Sequence, residues 1–238
     1  MGINSSNGNG YHDMETNDNG HGNNGQSAKR PKPPHVILTG PQGVGKGTQG
    51  AMLVERYGYT HVESGQVFRT LMKQQGDSEL AQKIKAITQK GELVPDEVTM
   101  HVMEPYLKFD EQILLDGIPR SPGQARILQQ MLGTHDYLVI IMSLDKEECK
   151  RRIGERVAYS QANGIPVRND DLDPVAVEKR LEIYEKETVE ALTGSFPMNR
   201  IHFIDASADV DLVGAAIHAQ IDAIMETKKN NHSKVSMK

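Results

Sequence analysis

The residues with the clearest chemical signature form one run, Gly40-Pro41-Gln42-Gly43-Val44-Gly45-Lys46-Gly47-Thr48. It follows the apolar stretch His35-Val36-Ile37-Leu38 and precedes a helix-forming segment from Gln49 to Tyr57 that stops at Gly58. A strand, a glycine-rich loop and a helix start in this order make a phosphate cradle. The glycines let consecutive backbone N–H groups turn inward around an anion, the helix N-terminus adds partial positive charge, and Lys46 reaches the outer phosphates. Many phosphate-loop NTPases place a Mg²⁺-binding hydroxyl directly after the lysine. Here Gly47 stands there and Thr48 comes one place later, which disfavours a plain GTPase or motor ATPase.

A second constellation, Asp116-Gly117-Ile118-Pro119-Arg120, follows the apolar run Ile113-Leu114-Leu115. A carboxylate at the end of a buried strand beside a phosphate loop can hold Mg²⁺ or its waters, or simply cap a turn; Arg120 then points at the same crevice. Arg152 and Arg156 share one helix face. Farther on, Arg168-Asn169-Asp170-Asp171 precedes a helix capped by Asp173, with Pro174 in its first turn and Arg180 inside it. A single arginine usually marks a solvated face. Several converging after a phosphate loop suit neutralisation of a highly charged transition state. The histidines lack metal-ligand spacing, and Val157 to Val167 contains neither Cys nor His, which excludes a zinc-bound loop. Cys149, four residues before Ile153, reads as a small core residue.

Positioning these groups requires a frame. Apolar runs near 35–39, 60–63, 112–115, 137–143 and 201–204 alternate with helical patterns, the signature of a parallel sheet covered on both faces. Leu80, Ile84 and Ile87 share a face of a helix opened by Asp77 or Ser78 and stopped at Gly91; Val213, Ile217, Ile221 and Ile224 make a later stripe. The reading is a doubly wound α/β sheet with ligands beyond the strands' carboxyl ends. At 238 residues, one large unit with small insertions fits. Residues 1–34 are rich in Asn, Gly and Ser and end in a basic, proline-rich linker, so they read as a disordered tail; 227–238 read as a polar tail outside the fold. A net charge of -5 offers no global field for nucleic acid. One cysteine precludes an internal disulfide, and no apolar run suits a membrane-spanning helix, so a reducing, cytoplasmic setting is expected.

Over about 35–226 the chain resembles the adenylate kinase family, short-lid type. The motifs are the phosphate loop, Glu63-Ser64-Gly65-Gln66-Val67-Phe68-Arg69, the turn Gly91-Glu92-Leu93-Val94-Pro95, Asp116 to Arg120 with Gln124, and the arginines around Arg156 to Arg168. The resemblance implies a three-layer P-loop fold with a five-stranded parallel sheet, a helical acceptor-binding insertion at about 64–93 and a short, metal-free lid at about 156–168. It implies ATP contacts from Gly43, Val44, Gly45, Lys46, Gly47, Thr48, Arg152 and Arg156, and AMP contacts from Ser64, Arg69, Glu92, Val94, Gly117, Arg120 and Gln124. Lys46, Arg120, Arg156, Arg168 and Arg180 would be catalytic, and Asp116 would hold Mg²⁺ through water. Gln66 stands where an Asp is usual, which is expected to weaken the metal's water shell; Gln42 replaces a loop proline and Ile118 an aromatic residue.

The implied activity is reversible phosphoryl transfer from Mg-ATP to AMP by a monomer, with ATP and AMP or ADP as partners. Rival readings are a UMP/CMP kinase, whose branch has Ala and Asn at the Ser64 and Gln124 positions, a GTP-using AMP kinase, and a catalytically weakened nucleotide-sensing module. Met1-Gly2-Ile3-Asn4-Ser5-Ser6 also fits an N-myristoylation pattern, giving an acyl anchor at Gly2 in a eukaryotic source.

Overall fold

The computed structural model describes residues 31–235. The expected tail up to residue 30 and the acylation pattern at Gly2 lie outside the described residues.

Five parallel strands form one sheet in the order β2-β3-β1-β4-β5. They are β1 (His35–Thr39), β2 (Thr60–Glu63), β3 (Ile113–Asp116), β4 (Tyr137–Ser143) and β5 (Ile201–Asp205). Successive strand residues point to opposite faces, and both faces are covered. Ile37, Ile113, Leu115, Val139 and Ile141 join one apolar cluster; Val36, Leu38, Leu114, Leu138, Ile140 and Met142 join the other. The first cluster takes in Met100 and Met103 of α4 (Asp96–Met103), Leu128 of α5 (Pro122–Leu132) and Leu192 of α8 (Val189–Ser195). The second is closed by Leu53 of α1 (Lys46–Tyr57) and by Val213, Ile217 and Ile221 of α9 (Val210–Val235). The result is the three-layer α/β arrangement expected.

The insertion after β2 consists of α2 (Ser64–Gln74) and α3 (Glu79–Gln89), the latter capped by Ser78, whose hydroxyl accepts from Ala81 N. Ala81 and Ile84 are its buried residues, whereas Leu80 is exposed. Ile84 thus keeps its expected place and Ile87 is half-buried, while Ala81 takes the inward position expected of Leu80, because this short pair of helices buries only its inner edge. The segment expected as a lid is in large part helix: α6 (Lys146–Ala162) continues two turns past Arg156. A short turn at Asn169–Asp171 then leads into α7 (Pro174–Ile183), with Asp173 accepting from Val175 N. Cys149, Ile153, Val177 and Leu181 pack α6 against α7.

Residues 227–235, expected outside the fold, instead continue α9. Lys228 lies 2.8 Å from Asp136 and donates to the Lys32 carbonyl at 3.2 Å, while the Tyr59 hydroxyl donates to the Pro34 carbonyl at 2.7 Å. The start of the described chain and Lys228 of α9 are thus held beside the first residues of β4 and β2. Among the described residues no helix is long and apolar enough to cross a membrane.

Ile217 is fully buried between α9 and the sheet. Its replacement by Ala should cost about 2–5 kcal/mol, because the removed methylenes leave a cavity in a close-packed layer. Urea titration of Ile217→Ala should show a lower midpoint at an unchanged slope.

Candidate functional site

Helix α1 begins at Lys46, immediately after Gly45 in the left-handed region. The loop before it passes so close to α6 that a Cβ at Gly43 would lie 2.5 Å from the Cys149 carbonyl oxygen, and φ is +89° there. Only glycine meets both demands. Lys46 folds back over the loop and donates to the carbonyls of Gly40 at 2.8 Å and Pro41 at 3.0 Å. Withdrawal from water pushes its ammonium pKa down to about 8; Asp116 opposes this shift, and Arg120 and Arg156 add to it.

Register sets the next group. Glu63 and Asp116 end β2 and β3 as direct partners, and Leu38 of β1 pairs with Asp116. Asp116 is almost wholly buried, yet lines the crevice beside the phosphate loop. Past it, Gly117 has φ +77°, and a Cβ there would meet Ser64 Oγ at 2.8 Å and Arg120 Nη2 at 2.9 Å. Its carbonyl accepts from both: Ser64 Oγ at 2.9 Å and Arg120 Nε at 2.7 Å. Gln124, buried on α5, accepts from the Arg120 backbone N–H at 2.8 Å, and Thr188 donates to the Arg120 carbonyl at 2.9 Å. Arg120 is therefore fixed from three directions.

The remaining arginines come from α2, α6, α7 and the turn between the last two. Arg69 pairs with Glu63 at 2.7 Å. Arg156 makes two hydrogen bonds of 2.9 Å to the buried Asp171. Arg180 pairs with Asp170 at 2.6 Å and donates to Gln42 Oε1 at 2.9 Å, while Gln42 donates to Asp171. Arg168 reaches Glu63 at 3.9 Å. Arg152 donates to the carbonyls of Val44 and Ala206, placing its guanidinium over the far end of the crevice.

All the expected site residues line one crevice of about 950 Å³. Its lining takes in Gly43, Val44, Gly45, Lys46, Gly47 and Thr48 of the phosphate loop, Arg152 and Arg156 of α6, and Ser64, Arg69, Val94, Gly117, Arg120 and Gln124. Arg168 and Arg180 line it as well. Glu92 reaches the rim, where Lys179 takes its carboxylate at 2.8 Å. This volume is at the upper end of the ~300–1,000 Å³ usual for small-molecule sites.

Gln66, expected to weaken the metal's water shell, is not among the residues that line this crevice: it is exposed on α2, accepts from Arg69 at 3.1 Å and borders a second depression together with residues of β2.

Several groups escaped sequence reasoning. Asp170 and Asp171 are the counter-ions of Arg180 and Arg156, but a turn rich in Asp has no local mark of burial. Gln49 is buried and donates to the Val210 carbonyl at 2.9 Å, tying the phosphate-loop helix to the wall at 206–210. His61 packs over Gly50 with a buried, unbonded Nε2 3.6 Å from Asp116. Gln42 was visible only as an unusual loop residue.

A family model described as adenylate kinase matches residues 38–196. The adenylate kinase of Xanthobacter autotrophicus is 35% identical over 188 residues, covering 76% of this chain and 95% of the relative. That of Azorhizobium caulinodans is 33% identical over 198 residues, covering 81% and 98%, and that of Brucella melitensis biotype 1 is 34% identical over 188, covering 76% and 95%.

Burial pushes the Lys46 ammonium down to about 8, within the range where part of it is neutral at mildly alkaline pH. A bound triphosphate favours the ammonium, so nucleoside triphosphate binding near pH 8 should take up a fraction of a proton, and none near pH 6. Calorimetry in two buffers of different ionisation enthalpy measures this uptake, and Lys46→Met should abolish it.

Proposed function

The chain belongs to the adenylate kinase family and is a nucleoside-monophosphate kinase, and we propose that it transfers the terminal phosphoryl group of Mg-ATP to AMP, reversibly, giving two ADP. The observation that carries this reading is the polar pair at the acceptor half. Ser64 spends its proton on Gly117 and keeps lone pairs to accept from an exocyclic amine. Gln124 commits its oxygen to the Arg120 N–H, leaving its amide N–H₂ to donate to a ring nitrogen. An amine beside an unprotonated ring nitrogen is the edge of adenine; guanine and uracil present the reverse, and cytosine is smaller.

In this reading the phosphate loop and Lys46 hold the donor phosphates, with Arg152 over the donor base. Arg69 and Arg120 seat the acceptor phosphate, and Arg156, Arg168 and Arg180 spread over the group in transit. The acceptor oxygen is already ionised at neutral pH, so no general base is needed; the task is alignment and neutralisation of charge. Closure of the arginine-bearing segment over the phosphates would exclude water and limit hydrolysis. In this reading the chain acts as a monomer in the cytoplasm.

The donor set fits Mg²⁺. Asp116 is a buried carboxylate facing the phosphate loop, and no group of three metal-binding side chains exists among the described residues. Such a site suits an ion that keeps most of its waters and leans on the nucleotide. Asp116 would hold it through water, and the ion would neutralise donor phosphate charge.

Initial rates with AMP, UMP, CMP and GMP at matched subsaturating concentrations test the acceptor. AMP should lead by at least about a hundredfold, since a wrong base leaves buried polar groups unpaired. Faster turnover of UMP or CMP would overturn the assignment.

A further inference from the structure

Arg156, Arg180, Arg69 and Arg168 all line the crevice, and the last two are partnered differently from the first two. Arg156 and Arg180 each have a private carboxylate on the Asp170-Asp171 turn. Arg69 and Arg168 share one: Glu63 Oε1 lies 2.7 Å from Arg69 Nη2 and 3.9 Å from Arg168 Nη2. Among the described residues no other carboxylate pairs with either guanidinium. The two arginines come from different parts of the fold, Arg69 from α2 and Arg168 from the segment after α6. Glu63 is the last residue of the edge strand, in register with Asp116, so its carboxylate stands at the ligand end of the sheet.

We propose that Glu63 is a built-in competitor for the acceptor phosphate: it holds Arg69 and Arg168 together in the empty crevice and must yield both to an incoming nucleoside monophosphate. This rests on assigning Arg69 to the acceptor phosphate. A phosphate dianion carries about twice the charge of a carboxylate and three acceptor oxygens, so it wins the exchange. Its net affinity is nevertheless reduced, because the charge-assisted hydrogen bond to Arg69 and the longer ion pair with Arg168 are broken and a negative group remains beside it. The same carboxylate recaptures the guanidiniums as product leaves. Glu63 is thus a positioning residue that trades acceptor affinity for release, and it links the acceptor seat to the segment bearing Arg168.

The test is calorimetric titration of AMP, GMP, UMP and CMP into the wild-type chain, Glu63→Gln and Glu63→Asp, with ATP as the control ligand. Gln keeps the shape and a weaker hydrogen bond to Arg69 while removing the charge. The dissociation constant of any monophosphate that binds should fall about three- to tenfold in Glu63→Gln, with ATP within twofold. KM for the acceptor and kcat should fall together as release slows. Glu63→Asp, which restores the charge, should lie within twofold of wild type. A purely structural role predicts weaker binding in Glu63→Gln, and equal or weaker binding of all four monophosphates overturns the proposal. Equal binding of the four to wild type would instead remove the AMP assignment, leaving the Glu63 exchange to be judged on the same titrations.

Discussion

Lys46, Arg69, Arg120, Arg156, Arg168 and Arg180 all open onto one crevice, and their mutual repulsion is the constraint around which the site is organised. Two unit charges 4 Å apart interact by about 4 kcal/mol at an effective dielectric constant near 20. An empty site with this much positive charge would splay apart without internal anions. Glu63, Asp116, Asp170 and Asp171 supply them. Although burial opposes it, Arg180 holds the Asp170 carboxyl below its usual range, so the counter-ion stays charged. The phosphates of two nucleotides bring the same sign of charge to the same guanidiniums. Substrate binding is therefore an exchange of anions within a crevice already built for them.

The sheet makes this convergence possible. In a parallel sheet all strands deliver their carboxyl ends to one edge, and the loops leaving them carry the site. Phosphate loop, Glu63 and Asp116 leave three adjacent strands at the same level because the register aligns them. Glycine then sets how close the pieces approach: Gly43 against α6, and Gly117 beneath Ser64 and Arg120. Neutral groups complete the positioning. Gln42 bridges Arg180 and Asp171 across the loop, and Thr188, in a π-helical turn at Tyr184–Thr188, holds the Arg120 backbone. Such turns recur where a helix must re-aim a side chain toward a site.

Local chemistry reveals itself in sequence when a few consecutive residues suffice for the task. The phosphate loop, the strand runs, the Ser78 and Asp173 caps and the run from Asp116 to Arg120 are of this kind, because strand, loop and helix each need particular residues at particular offsets. The place of Gln66 is not legible in this way, because one helical turn decides which way a side chain points, and spacing from Glu63 does not say which residue keeps the inward face. The polar end of α9 was not legible for a related reason. Composition describes solvent exposure of the helix, whereas its persistence comes from packing upstream and from Lys228 on Asp136.

By itself the sequence determined the strand–loop–helix cradle and the parallel α/β frame, since each is encoded by contiguous residues with backbone preferences of their own. Only the tertiary structure decided that the scattered cations meet in one crevice and which anion each holds. Arg156 with Asp171, Arg180 with Asp170 and Gln42, and Arg168 with Glu63 join residues 10 to 138 positions apart. Charge acts through space and falls with distance in three dimensions, so its partners are set by where the sheet edge, the insertion and α6–α7 meet.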